Sequence, residues 1–74
     1  MQKIPLLSGQ EVVKAFIRLG WEVARRRGSH IILVKEGHIA TLSVPNHREV
    51  ARGTLRSLIA RSGLTINEFV NKIR

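Results

Sequence analysis

The chain has 74 residues, about half the usual length of a domain, so we expect a single small domain spanning 1–74. It contains no cysteine, which excludes disulfide scaffolds, cysteine-ligated zinc and thiol catalysis. Thirteen basic residues against five acidic ones give a formal charge of +8, most of it in the Arg-rich segments 18–35 and 48–61. Because a guanidinium group matches phosphate, we expect a nucleic-acid partner; a solvated basic surface with no partner is the alternative.

The sequence offers little for membranes, metals or cofactors. No apolar run approaches the ~18 residues that span a bilayer. Met1–Leu7 is too short and too interrupted for a signal peptide, so we expect a cytoplasmic protein with no membrane contact. The acidic residues are isolated glutamates without any aspartate, which argues against a carboxylate site for magnesium or calcium. We therefore expect neither a metal nor a cofactor.

The first predicted element is a helix that begins after Ser8. Ser8 and Glu11 fit a capping box, in which each side chain accepts a hydrogen bond from the backbone N–H of the other. Gly20 fits a left-handed cap at the end of the helix. The apolar residues between them repeat at helical spacing: Val12, Val13, Phe16 and Ile17.

Three strands are predicted next, over 21–27, 30–35 and 39–44. Gly28-Ser29 connects the first two, Glu36-Gly37-His38 follows the second, and Pro45 stops the third. Because the connections are short, the strands are expected to form an antiparallel meander.

The middle strand is apolar on both faces, since the residues from Ile31 to Val34 are all aliphatic. Helices on one side of a three-stranded sheet should leave its other side polar. We therefore expect the second face to be covered, either by a partner, which we favour, or by self-association.

Two helices complete the chain. The first is predicted with Thr54 as its N-cap and Gly63 at its end, and its buried stripe comprises Leu55, Leu58 and Ile59. The second begins with Thr65 and Glu68 in another capping box and turns inward Ile66, Phe69, Val70 and Ile73. The predicted fold is thus α+β, in the order α-β-β-β-α with an extra C-terminal helix and a three-stranded antiparallel sheet.

The α-β-β-β-α order resembles the double-stranded-RNA-binding domain, and three segments make a further resemblance more specific. They are Arg27-Gly28-Ser29-His30, Val44-Pro45-Asn46-His47 and Arg52-Gly53-Thr54-Leu55-Arg56-Ser57-Leu58. In this order and spacing they resemble the HicA (YcfA-like) toxins over nearly the whole chain. The resemblance implies an mRNA endonuclease of a toxin–antitoxin pair, held inactive by a HicB-type antitoxin, with His30 as the catalytic residue. It also implies that the helix from Thr65 is an extension found in some members.

The chemistry of the residues is compatible with that implication. The neighbouring 2′-hydroxyl of RNA can serve as nucleophile, so a protein needs only to move protons and stabilise charge. A histidine, which titrates near neutrality, suits the role of general acid or base, and arginines can stabilise a phosphorane. No metal is then required. The alternative for His30 is a strand histidine packed or hydrogen-bonded at the sheet surface.

The predicted RNA-binding residues are Arg25, Arg26, Arg27, Ser29, His47, Arg48, Arg52 and Arg56. Alternation along a strand places Arg25 and Arg27 on one face and Arg26 on the other. A solvated hairpin end is the alternative for this run. His47 is either the second proton-transfer group or a loop residue that fixes the turn at Pro45.

Other candidates are assigned to the structure rather than to the site. His38 is expected to be a solvated turn residue. Trp21 is expected in the core rather than as a platform for base stacking, and Phe16 and Phe69 are expected there as well.

Two other functions stay open at this point. One is a non-catalytic module that binds double-stranded RNA, and the other is a protein-interaction or DNA-binding subunit. If an antitoxin is the partner, we expect it to cover His30 and the arginines around it, because an apolar strand lies beside concentrated positive charge.

Overall fold

The computed structural model describes residues 4–73, which form six elements. These are α1 (Gly9–Arg18), β1 (Glu22–Arg27), β2 (His30–Val34), β3 (Leu42–Pro45), α2 (Arg52–Arg61) and α3 (Ile66–Asn71). The predicted α+β fold, with its three-stranded antiparallel sheet and extra C-terminal helix, is confirmed. The segment Met1–Leu7, which was predicted not to be a signal peptide, has its first three residues outside the described part. The two ends of the predicted 1–74 domain lie outside it as well. None of the helices in residues 4–73 is long and apolar enough to cross a membrane.

Helix α1 begins and ends where its capping residues predict. The Ser8 hydroxyl accepts from the Glu11 N–H at 3.2 Å, and the Glu11 carboxylate accepts from the Ser8 N–H at 2.9 Å. At the other end Gly20 has φ +99°, and the Trp21 N–H donates to the Phe16 carbonyl at 3.0 Å, which is a Schellman motif. The ring of Trp21 then contacts that of Phe16, with centroids 6.2 Å apart, so the cap leads the chain directly into the core.

The sheet has the order β1-β2-β3, with antiparallel pairing throughout. On its inner face the β2 and β3 side chains are buried, namely Ile31, Leu33, Leu42 and Val44, whereas β1 is exposed along its length. The helices pack on this face. Phe16, Trp21 and Phe69 are all buried within the same cluster, so their prediction as core residues is confirmed.

The third strand differs from its prediction at its beginning. It was expected over 39–44, but β3 begins at Leu42, and Ile39 is fully exposed in the connection. Local hydrogen bonds hold this connection, since the Ala40 N–H donates to Nδ1 of His38 at 3.3 Å. The strand also includes Pro45 as its last residue, which an edge strand tolerates because a proline lacks only the donor.

His38 is not the solvated turn residue that was predicted. Its side chain is half-buried, and its ring lies against Trp21 with the centroids 4.9 Å apart. Packing on a core aromatic residue and the bond to Ala40 give His38 a structural role, in which it fastens the β2–β3 connection to the core.

The prediction of Thr54 as the N-cap of the second helix was wrong. The N-cap of helix α2 lies three residues earlier, at Ala51, which makes no side-chain hydrogen bond. A distant contact precedes this start: the Val50 N–H donates to the Leu7 carbonyl at 2.7 Å in an isolated antiparallel bridge. The predicted buried stripe and the capping box of α3 at Thr65 are both confirmed.

Candidate active site

The Gly28-Ser29 turn joins β1 to β2, and both of its residues are exposed. Gly28 has a φ of +60°, and the φ of Ser29 is not positive. This combination of signs at the two central residues is typical of a type II′ turn. In this hairpin Arg27 and His30 are directly paired across the strands. Both side chains are exposed, so a basic group and an imidazole stand side by side at one end of the sheet.

The link from β3 to α2 lies at the same end of the sheet. Pro45 is the strand partner of His30, and the next N–H, that of Asn46, donates to the Ser29 carbonyl at 2.7 Å. The Gly9 N–H of α1 donates to the His47 carbonyl at 2.9 Å. Three segments that are distant in sequence therefore meet here: the start of α1, the β1–β2 turn and the β3–α2 link.

Gly9 is required for this meeting because no side chain fits at its position. A Cβ there would lie 2.8 Å from the Cα of Asn46 and still closer to the carbonyl oxygen of Pro45. The backbone of α1 thus lies directly on the link that carries His47.

The strand register places two of the three hairpin arginines on the face of His30. Arg25 is paired with Ile32 and Arg27 with His30, and residues that face each other across an antiparallel pair point to the same side. Arg26 is paired with Ile31, whose side chain points into the core, so Arg26 points away from His30. The two-residue Gly28-Ser29 turn sets this phase, because it pairs Arg27 with His30; the bulge between Val23 and Arg25 shifts only the residues before Arg25.

The basic residues after the link form a separate group. Arg48, Arg52 and Arg56 are exposed, and the last two lie one turn apart on α2. Nε of Arg52 donates to the Ile4 carbonyl at 2.9 Å, so part of its guanidinium group fastens the N-terminal segment. The structure brings Arg25, Arg27, Ser29, His30 and the backbone of His47 to one end of the sheet. Within residues 4–73, the α2 arginines make no hydrogen bond to these sheet-end residues.

No metal-binding cluster of three His, Cys, Asp or Glu side chains occurs in the described part of the chain. A groove beside α1, lined by Glu11, Lys14, Arg18 and Ile73 among others, contains none of the predicted site residues. The Thr65 backbone N–H, and then the Thr65 hydroxyl, lower the pKa of Glu68 below its ordinary 4.5. Glu68 belongs to the cap of α3 and not to the sheet end.

Comparison with known families identifies the chain. A family model described as the HicA toxin of bacterial toxin–antitoxin systems matches residues 9–64, which include the whole sheet and both helices that flank it. The chain belongs to the HicA toxin family. Comparisons with curated proteins and with solved structures give no significant match.

This HicA toxin therefore has an antitoxin as its partner, as the family name implies. The matched residues begin at Gly9, where α1 meets the link, and contain the Gly28-Ser29-His30 motif. They end before α3, so the C-terminal helix lies outside the matched part.

Two residues at the sheet end were not predicted from the sequence. Nε2 of Gln10, on the first turn of α1, donates to Oδ1 of Asn46 at 3.1 Å, and both side chains are exposed. Asn46 lies within the Val44-Pro45-Asn46-His47 segment, which was the only signal available for it. The contact joins residues 36 positions apart, so no local pattern indicates it.

Proposed function

We propose that this HicA toxin is a metal-independent endoribonuclease that cleaves mRNA, with His30 as its general acid or base. The observation that carries the proposal is the exposed imidazole at the open end of the sheet, with Arg27 as its cross-strand neighbour, inside the segment that matches the family. An exposed histidine with no packing role is available to substrate, unlike His38, which packs on Trp21.

The reaction needs two proton transfers and stabilisation of charge. The 2′-hydroxyl of the substrate loses a proton and attacks the adjacent phosphorus, and the bond to the 5′-oxygen of the next nucleotide breaks as that oxygen gains a proton. His30 performs one or both of these transfers, a role that contributes on the order of 10²–10⁴-fold. Arg25 and Arg27, on the same face as His30, stabilise the charge on the non-bridging oxygens. No step of this scheme requires a metal.

Where His30 performs only one of the two transfers, His47 is the candidate for the other. It is exposed, and it follows the strand partner of His30 by two residues. Its backbone carbonyl, which accepts from Gly9, already holds the link in place, so its imidazole is not needed for that purpose.

The RNA strand is bound mainly through its phosphates. The groups that we propose to contact the strand are all exposed, and they are Arg25, Arg26, Arg27, Ser29, His47, Arg48, Arg52 and Arg56. Such contacts give affinity without sequence information.

The test is cleavage of a long unstructured RNA in excess EDTA by the wild-type protein and by His30→Ala. We expect the wild type to cut the RNA and His30→Ala to lose at least 100-fold in rate. Asn71→Ala, an exposed residue of α3, serves as the control and should cut like the wild type. Intact RNA in every lane, with salt-sensitive binding retained, would instead favour a non-catalytic RNA-binding module.

We also propose that the antitoxin is of the HicB type and covers His30 together with the hairpin arginines. In support, the face that carries Arg25 and Arg27 also carries Ile32 and Val34, which are only half-buried. An acidic and partly apolar partner surface fits such a face. A complex in which His30 stays fully open would contradict direct occlusion. A dimer formed by the toxin alone would instead assign this face to a second copy of the chain.

A further inference from the structure

The hydrogen bond between Gln10 and Asn46 is unusual for its position. It joins two exposed side chains across 36 residues of sequence, where water competes for both partners and the net gain in stability is small. The backbone beneath it is held firmly: the Asn46 N–H donates to Ser29, and the Gly9 N–H donates to His47. The two amides are therefore preorganised on the surface at little benefit to the fold.

The hydrogen bond leaves polar groups of both amides available to a ligand. Gln10 retains its Oε1 as an acceptor, and Asn46 retains the two donors of its Nδ2. An acceptor beside a donor matches the edge of a nucleobase, which likewise presents a donor next to an acceptor. A single Asn or Gln amide binds a base edge through its own donor and acceptor; here the acceptor of Gln10 and a donor of Asn46 would play these two parts together. In RNA such edges are accessible mainly on unpaired bases.

The pair also lies beside the proposed chemistry. Asn46 directly follows Pro45, the strand partner of His30, and its N–H donates to the carbonyl of Ser29, the residue before His30. We propose that the Gln10–Asn46 amide pair binds the edge of an unpaired nucleobase next to the scissile phosphate and sets the base preference of cleavage. This inference rests on the proposed ribonuclease function.

The experiment uses a pool of single-stranded RNA with random sequence, cut by the full chain, with the cut ends mapped by sequencing. The wild type should favour certain bases at one position beside the cut. Gln10→Ala, Asn46→Ala and the double variant should each lose about tenfold of that discrimination, since a bidentate contact fails when either half is removed. Asn67→Ala, an exposed amide on α3, is the matched control and should keep the wild-type pattern.

A second variant separates recognition from a merely structural effect. Asn46→Asp keeps the size of the side chain and its acceptor for Gln10 but replaces the two donors with an acceptor. We expect it to change which base is favoured and not simply to flatten the preference. Thermal unfolding of each variant shows whether the fold is retained.

An unchanged cleavage pattern in the double variant would overturn the inference while leaving the ribonuclease function intact. If the wild type does not cleave at all, the proposed function fails, and the same pool is then used to select bound RNA. A base enriched by the wild type but not by the double variant would still support the amide pair as a base-reading element. Identical enrichment by both proteins would contradict it.

Discussion

Gly9 is the residue on which the geometry of the candidate site depends most. Its N–H holds the His47 carbonyl, and its missing side chain allows α1 to lie on the link. Gly53, in contrast, lies in α2 with no atom within 4 Å of where a Cβ would be. Neither glycine has a positive φ, so the two positions differ in space and not in backbone strain.

We predict opposite effects for alanine at these two positions. Gly9→Ala should lower the free energy of unfolding by about 1–3 kcal/mol, because the new methyl group collides with backbone that cannot move independently. It should also slow RNA cleavage by displacing the link. Gly53→Ala should be neutral or stabilising by up to about 1 kcal/mol, because alanine is the better helix former. Urea unfolding measures both, and equal stabilities would contradict the close approach at Gly9.

Several residue positions could be predicted from the sequence, and others could not. Strand alternation alone predicts that Arg25 and Arg27 share a face. That this face is also the face of His30 follows from the two-residue Gly28-Ser29 turn, which pairs Arg27 with His30. The packing of His38 on Trp21 was missed, because it joins a turn to a core residue through a tertiary contact.

At the scale of elements, the helices with capping boxes were predicted best. The start of α1 at Ser8 and of α3 at Thr65 is encoded within four residues and was found correctly. The start of α2 was missed because its N-cap makes no side-chain hydrogen bond and follows a bridge between Leu7 and Val50, far apart in sequence. Local signals therefore predict an element boundary only where local hydrogen bonds determine it.

The cap of α3 leads to a prediction about pH. Hydrogen bonds from Thr65 lower the pKa of Glu68 in the folded protein, so ionised Glu68 favours the folded state at pH values above 4.5. That contribution is lost as the pH falls through the lowered pKa. The stability difference between the wild type and Glu68→Gln should therefore shrink below pH 4.5, as measured by unfolding at a series of pH values. A difference that stays constant from pH 7 to pH 3 would contradict the role of the ionised carboxylate.

At the scale of the whole molecule, the fold separates two surfaces. The helices bury the inner face of the sheet, and the outer face and its open end keep Arg25, Arg27 and His30 exposed. With a formal charge of +8, the chain attracts a polyanion before any specific contact forms.

This arrangement predicts how RNA binding depends on salt. The logarithm of the affinity for single-stranded RNA should fall linearly with the logarithm of salt concentration, with a slope of about −0.7 for each phosphate contacted. Replacing Arg25 and Arg27 together with alanine should make the slope shallower by about 0.7 per arginine that contacts a phosphate. Arg61→Ala, in the last turn of α2, is the control, because it removes the same charge per substituted residue. It should leave the slope near that of the wild type. Equal effects of hairpin and control arginines would mean that only net charge matters.

The central claim is that His30 moves a proton while the substrate's own 2′-hydroxyl attacks the phosphate. The most direct measurement compares a short RNA containing one cleavage site with the same RNA carrying a 2′-deoxy nucleotide on the 5′ side of the scissile phosphate. We predict that the wild-type protein binds both, cuts only the first, and leaves a 2′,3′-cyclic phosphate and a 5′-hydroxyl. Cleavage of the deoxy-substituted RNA, or product ends with a 5′-phosphate, would contradict the account.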